Sequence, residues 1–171
     1  AAGVTDGTDR TFELYNSTFT QNQAFYNGGA IYFTTNAIAY LKNVDFSKNE
    51  ALATANSDGN RYGGGAIYST GSKIEIDDAE FIENKSGYMG GAFEIHSSSV
   101  AKLNNVIATG NIAENSTGGA FEIKSSSTIS MNNVTASGNA SNNRGGFMDV
   151  DSAEAKIWNS VIKENFASAG G

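Results

Sequence analysis

The sequence contains no cysteine and no proline, and its 171 residues include a single histidine. The missing cysteine excludes a disulfide framework, a thiolate nucleophile and a thiolate zinc site. Eleven Lys and Arg stand against 18 Asp and Glu, giving a formal net charge of −7. Because no basic patch is present, nucleic acid is not expected as a partner. No apolar run exceeds about five residues, so this chain is not expected to insert directly into a membrane.

What the sequence has instead is repetition, with a composition rich in Gly, Asn and Ser. A glycine pair followed by apolar residues alternates with a second motif of the form apolar-x-x-Asn. The glycine pairs begin at Gly28, Gly64, Gly90, Gly118 and Gly145, and the second motif ends at Asn22, Asn49, Asn84, Asn111, Asn139 and Asn165. The period of about 27 residues predicts a solenoid, in which each unit buries its apolar side only by stacking on its neighbours.

The residues after each glycine pair alternate with period two, which is typical of β-strands. The apolar members are Ile31, Ile67, Phe93, Phe121 and Met148. Short strands at a fixed period predict an all-β fold, a single-stranded parallel β-helix of about six coils, right-handed as parallel crossovers are. We expect a single domain over residues 1–171, with residues 1–11 as an N-terminal extension or cap, residues 50–63 as a loop insertion, and a C-terminus in the middle of a repeat.

Aligning the units reveals two columns of asparagine. The first is Asn22, Asn49, Asn84, Asn111, Asn139 and Asn165, and the second is Asn16, Asn43, Asp78, Asn105, Asn133 and Asn159. Asparagine tolerates the left-handed backbone conformation, and its amide can bond to the equivalent amide one coil away. Both columns are therefore predicted to be structural ladders. The glycine pairs are assigned to corners where φ is positive or where two backbones approach too closely for a Cβ.

The two alternating motifs resemble those of the polymorphic membrane protein family, best known as chlamydial autotransporter passengers. The resemblance extends from Phe12 to the end of the chain, although the last three units carry Ala108, Ala136 and Ile162 in place of phenylalanine. It is carried by four Gly-Gly-Ala copies and three strict Phe-x-x-Asn copies, Phe19–Asn22, Phe46–Asn49 and Phe81–Asn84. It implies an extracellular, adhesin-like module of the cell surface. The implied partners are a protein or glycan on a host or neighbouring cell, or a second copy joined end to end.

Two surface features are candidate binding sites. All seven tyrosines lie at or before Tyr88, and five of them fall in two columns: Tyr26, Tyr62 and Tyr88 before the glycine pairs, and Tyr32 and Tyr68 on the following strands. Stacked tyrosines suit recognition of sugars or proteins, or they simply stabilise the stack. The insertion at residues 50–63, with Asp58 and Arg61, is either a binding loop or a plain surface loop.

Three acids, Glu94, Glu122 and Asp149, occupy successive outward positions on the predicted strands. They are expected to be solvated and partly offset by Lys124, although a weak cation site or paired carboxylates for glycoside chemistry are alternatives. We expect no cofactor, no metal and no catalytic residue. The sequence leaves open two other functions: a fibre subunit that polymerises through open coil ends, and a polysaccharide-acting enzyme.

Overall fold

The computed structural model describes residues 10–54 and 63–170. This part of the chain consists of 18 strands, β1 to β18 in chain order, and no helix. It therefore holds no helix long and apolar enough to cross a membrane. The strands form three parallel sheets, and successive coils add one strand to each sheet. The predicted parallel β-helix is confirmed, with about six coils spaced about 27 residues apart.

The three sheets differ in strand length. The first contains β1 (Arg10–Thr20), β4 (Ala37–Ser47), β7 (Lys73–Ile82), β10 (Val100–Thr109), β13 (Thr128–Ser137), β16 (Glu154–Trp158) and β17 (Val161–Lys163). The second contains β2 (Gln23–Ala24), β5 (Glu50–Ala51), β8 (Lys85–Ser86), β11 (Ile112–Ala113), β14 (Ala140–Ser141) and β18 (Phe166–Ala167). The third contains β3 (Ile31–Phe33), β6 (Ile67–Thr70), β9 (Phe93–His96), β12 (Phe121–Lys124) and β15 (Met148–Asp151).

The core is a stack of like residues, coil upon coil. Phe19, Phe46 and Phe81 are stacked face to face, with successive ring centroids 5.1 Å apart. The next coil carries Ala108 at this position, and there Phe121 from the third sheet meets the edge of Phe81 at 6.1 Å. In this coil, the large aromatic side chain in the core therefore comes from the third sheet instead of the first. This exchange keeps the core filled, which close-packed interiors require.

The first asparagine column, which we call the inner asparagine column, is confirmed as a ladder. The Oδ1 atom of Asn111 accepts hydrogen bonds from the backbone N–H of Asn84 (2.9 Å) and from its side-chain amide (3.0 Å). Its Nδ2 atom donates to the carbonyl of Phe81 (2.8 Å) and to Oδ1 of Asn139 (2.9 Å). The same bonds recur along the column, whose four central members are fully buried.

The prediction that the inner asparagine column adopts the left-handed conformation is wrong. Positive φ is found instead in the residue directly before each of these asparagines. Those residues are Gln21, Lys48, Glu83, Gly110, Gly138 and Glu164. The turn is thus made one residue earlier, and this leaves the asparagine amide free to point inward into the ladder.

The second column, which we call the outer asparagine column, does adopt the left-handed conformation, with φ between 49° and 55°. It bends each long strand in its middle. Its members are linked by side-chain hydrogen bonds, such as Asn133 to Asn105 (2.8 Å) and Asn105 to Asp78 (2.9 Å). The ladder ends at Asn159, which donates to Asn132 rather than to Asn133. These side chains lie at the surface.

The glycine pairs fulfil both roles predicted for them, one in each glycine. Gly64 has a φ of +69°, in the left-handed region. A Cβ on Gly65 would overlap the carbonyl oxygen of Gly91 on the next coil. Strand β5 continues through Glu50–Ala51 and pairs with β2 and β8, so the coil extends into the start of the predicted insertion. The insertion residues Asp58, Arg61 and Tyr62 lie outside the described residues.

Candidate functional site

The third sheet aligns five residues into one outward column across the coils. They are Tyr32, Tyr68, Glu94, Glu122 and Asp149. We call the last three the acidic column. These side chains point away from the core, as the alternation predicted, but Glu94 is 0% exposed and Glu122 is 1% exposed. The prediction that these acids are solvated is therefore wrong for both glutamates.

Gly63, Met89 and Thr117, which lie at or just before three of the glycine pairs, are placed against the outer face of the third sheet beside the two glutamates. The hydroxyl of Thr117 donates a hydrogen bond to Oε2 of Glu122 at 2.7 Å. Met89 is buried, and its sulfur accepts a hydrogen bond from Nζ of Lys124 at 3.1 Å. A Cβ on Gly63 would overlap Oε2 of Glu94. The carboxyl groups are thus enclosed between their strands and these residues.

Glu94 is the least compensated group of the column. Neither of its carboxyl oxygens has a hydrogen-bond partner in the part of the chain that the structure describes. Burial raises the pKa of Glu94 well above its ordinary value of 4.5, and the neighbouring Glu122 raises it further, while Lys124 opposes the rise. The surroundings of Glu94 thus disfavour its charged form.

Glu122 lies between Glu94, which has no partner among the described residues, and Asp149, which is paired with Arg144. Burial raises its pKa to about 7. The hydrogen bond from Thr117 and the positive charges of Lys124 and Arg144 oppose this rise, while Asp149 adds to it. Nζ of Lys124 lies 3.8 Å from Oε1 of Glu122, and Arg144 binds Asp149 at 3.2 Å. Compensation of the carboxylates thus increases along the column from Glu94 to Asp149.

Among the described residues, the acidic column is not arranged as a metal site. Over residues 10–54 and 63–170, no group of three His, Asp or Glu side chains is placed to hold a metal ion, and the cation candidates Glu94, Glu122 and Asp149 form no such group. His96 lies beside the column, where burial and Lys124 lower its pKa, and its Nε2 lies 3.2 Å from the hydroxyl of Ser125. Because both glutamates are buried, a saccharide does not reach their carboxyl oxygens in this conformation.

The predicted tyrosine surface is smaller than the sequence suggests. The rings of Tyr32 and Tyr68 stack with centroids 5.1 Å apart and planes 5° apart. Tyr32 is 45% exposed, but Tyr68 is buried at 8% exposure. Tyr26 is half exposed and meets Phe25 edge to face at 4.8 Å, while Tyr88 is partly buried. Among the described tyrosines of this candidate site, the exposed ones are therefore Tyr26 and Tyr32, both in the first coil.

Two further exposed tyrosines were not singled out as candidates from the sequence. Tyr15 and Tyr40 lie on the outer face of the first sheet and expose 50% and 40% of their surface. A signal for them was present, because they flank Leu14 and Leu41 in the aligned repeats. In a strand, both neighbours of an inward residue point outward.

Comparison of the chain with protein-family models, with curated proteins and with solved structures gave no match. The resemblance to polymorphic membrane protein repeats thus stays a prediction that depends on the two alternating motifs. The fold is established by the strand pairing alone.

Proposed function

We propose that this β-helix is a structural and adhesive module of an extracellular cell surface. The observation that supports the proposal is a concentration of exposed aromatic side chains in the first two coils. Six aromatic residues there are 40% to 65% exposed: Phe12, Tyr15, Phe25, Tyr26, Tyr32 and Tyr40. Exposed aromatic groups at this density are typical of interaction surfaces, where tyrosine supplies large contact area at low entropic cost.

The scaffold beneath these side chains is rigid, which favours binding. The inner asparagine column and three continuous parallel sheets join each coil to the next through hydrogen bonds. Side chains on such a surface lose little conformational freedom when a partner is bound. The partner we infer is a protein or glycan on a host or neighbouring cell.

The test is an adhesion assay with beads that carry the chain. We expect the beads to bind to epithelial cell monolayers, and we expect Tyr26→Ser/Tyr32→Ser to reduce this binding severalfold. Trp158→Ser is the matched control, because Trp158 is also about half exposed but lies in the last coil. Equal binding by wild-type and double-variant beads, or equal loss in the control, contradicts the proposal.

A second function, assembly into a fibre, is favoured by the last coil. Val150, Ile157 and Ile162 belong to inward columns, yet each is more than 40% exposed. A further coil of the same geometry would cover them, whether it comes from the same chain or from a second copy. Electron microscopy across a concentration series distinguishes this function, since a fibre shows an axial repeat of roughly 30 Å for six coils. Ile162→Asp should abolish such filaments, and particles that stay monomeric at every concentration contradict this second function.

A further inference from the structure

The outer face of the first sheet contains a trough of about 370 Å³ that none of the sequence motifs predicted. It lies between two rows of outward side chains that run along the rod. One row is Tyr40, Glu75 and Lys102, and the other is Tyr15, Lys42, Asp77 and Asn104. Its floor is the backbone at Leu41 and Ile76, whose side chains point into the core. The trough thus crosses four strands, β1, β4, β7 and β10.

The side chains of the trough combine aromatic rings with balanced charge. Two lysines face two carboxylates, and Glu75 binds Lys102 at 2.8 Å. Lys42 and Asp77 make no ion pair with any described residue, so both remain available for a ligand. A site of this volume, with ring faces and a few polar groups, is typical of small-ligand binding.

We propose that this trough binds a neutral oligosaccharide. The inference rests on the proposed adhesive function and names a ligand class for it. Sugars present a weakly apolar C–H face, which suits the tyrosine rings, and hydroxyl groups, which suit carboxylate, amide and ammonium partners. The balanced charge disfavours a strongly anionic or cationic ligand.

Other ligand classes fit the trough less well. A peptide that adds as a strand needs unpaired backbone groups at a sheet edge, but β4 and β7 in the floor are paired on both sides. An apolar ligand needs apolar side chains in the floor, but these point inward. Three steps of about 4.8 Å between strands give a length of about 14 Å. This length suits an oligosaccharide better than a single sugar.

A second hollow on the same sheet provides an internal comparison. It has a volume of about 210 Å³ and is lined by Val100, Ala101, Lys102, Thr128, Ile129, Ser130, Glu154 and Lys156, without an aromatic residue. The repeat therefore produces hollows in several places, and tyrosine distinguishes the larger one. The proposal assigns binding to Tyr15 and Tyr40 rather than to the repeat itself.

The test is isothermal titration and saturation-transfer NMR of the full chain with cellotetraose, chitotetraose, a neutral N-glycan core and a sialylated N-glycan. We expect at least one neutral probe to bind, and we expect Tyr15→Ser/Tyr40→Ser to weaken that binding at least tenfold. Asp77→Ala should weaken it less. Trp158→Ser is the matched control, since Trp158 has similar exposure and lies on the same sheet but belongs to the last coil. Thermal unfolding verifies that each variant is folded.

Three results would overturn the proposal: no neutral probe binds at millimolar concentration, only the sialylated probe binds, or Trp158→Ser weakens binding as much as the double variant. These results are separable from failure of the adhesive function. Beads that adhere to cells through a chain that binds no neutral oligosaccharide leave the adhesive function standing. Conversely, a chain that binds a neutral oligosaccharide on beads that do not adhere to cells supports the ligand site and contradicts the adhesive function.

Discussion

The inner asparagine column and the acidic column bury polar groups in the same coils, yet in opposite ways. Asn111 and Glu94 are both 0% exposed. Asn111 makes four side-chain hydrogen bonds with neighbouring coils, whereas the carboxyl of Glu94 makes none with any described residue. A buried polar group stabilises a fold when its partners are present and costs free energy when they are missing. Substitutions in the two columns are therefore expected to have opposite signs.

The largest effect is expected for Asn111→Ala. The substitution removes four buried hydrogen bonds and leaves the carbonyl of Phe81 and the N–H groups of Asn84 without these partners. We expect the free energy of unfolding to fall by about 3–5 kcal/mol. Urea denaturation followed by circular dichroism measures this loss. A loss below about 1 kcal/mol would show that the inner asparagine column contributes no more than a surface ladder.

The second prediction concerns the pH dependence of stability. Glu122 is an acid whose pKa rises from 4.5 to about 7 on folding, so the folded state binds its proton more tightly than the unfolded state. Its contribution to stability is fully present below pH 4.5 and is lost as pH rises through about 7, a change of about 3 kcal/mol. Glu94, whose pKa is also raised well above 4.5, contributes a loss of the same sign as pH rises. Urea denaturation between pH 4.5 and 8.5 measures the decline.

The control for the pH prediction is Glu122→Gln, which has the same shape and no titrating proton. The groups that face Glu122 are Glu94, Thr117, Lys124 and, at the far side, the paired Arg144 and Asp149. These groups remain in the variant, so the pH dependence that it loses belongs to Glu122 and to its charge coupling with Glu94. An unchanged slope would contradict the assignment and would locate the pH dependence elsewhere.

The two columns also show which features of the structure can be predicted from the sequence. The repeat predicts the register, since Leu14, Leu41 and their counterparts pair as aligned. It also predicts which side of a strand each residue faces. It does not predict what covers that side, because period two carries no information about a segment that folds back over the sheet. The burial of Glu94 depends on contacts with residues such as Gly63, which lie in another coil. Likewise, the trough at Tyr15 and Tyr40 arises only when four coils are laid side by side.

The third prediction is a gain in stability from Glu94→Met. Methionine has a similar length and shape, and it removes two buried oxygens that have no partner among the described residues. We expect an increase of about 1–3 kcal/mol at pH 8, because a carboxyl group whose pKa is raised on folding destabilises the folded state most at high pH. Glu122→Met is the matched control and should gain less, because Thr117 loses its acceptor and Lys124 loses its counter-charge. Destabilisation by Glu94→Met would mean that Glu94 has a partner in solution.

The smallest effect is expected in the outer asparagine column, which has the same residue type as the inner one but lies at the surface. Asn105 has a φ of 53° and makes two exposed side-chain hydrogen bonds, to Asp78 and from Asn133. Asn105→Ala should cost about 1 kcal/mol, mainly because alanine disfavours the left-handed conformation. Asn105→Gly should cost less than alanine, since glycine adopts that conformation without strain. If both variants lower the free energy of unfolding as much as Asn111→Ala does, then hydrogen bonding rather than burial determines how much each asparagine column contributes to stability. The contrast between the two columns would then disappear.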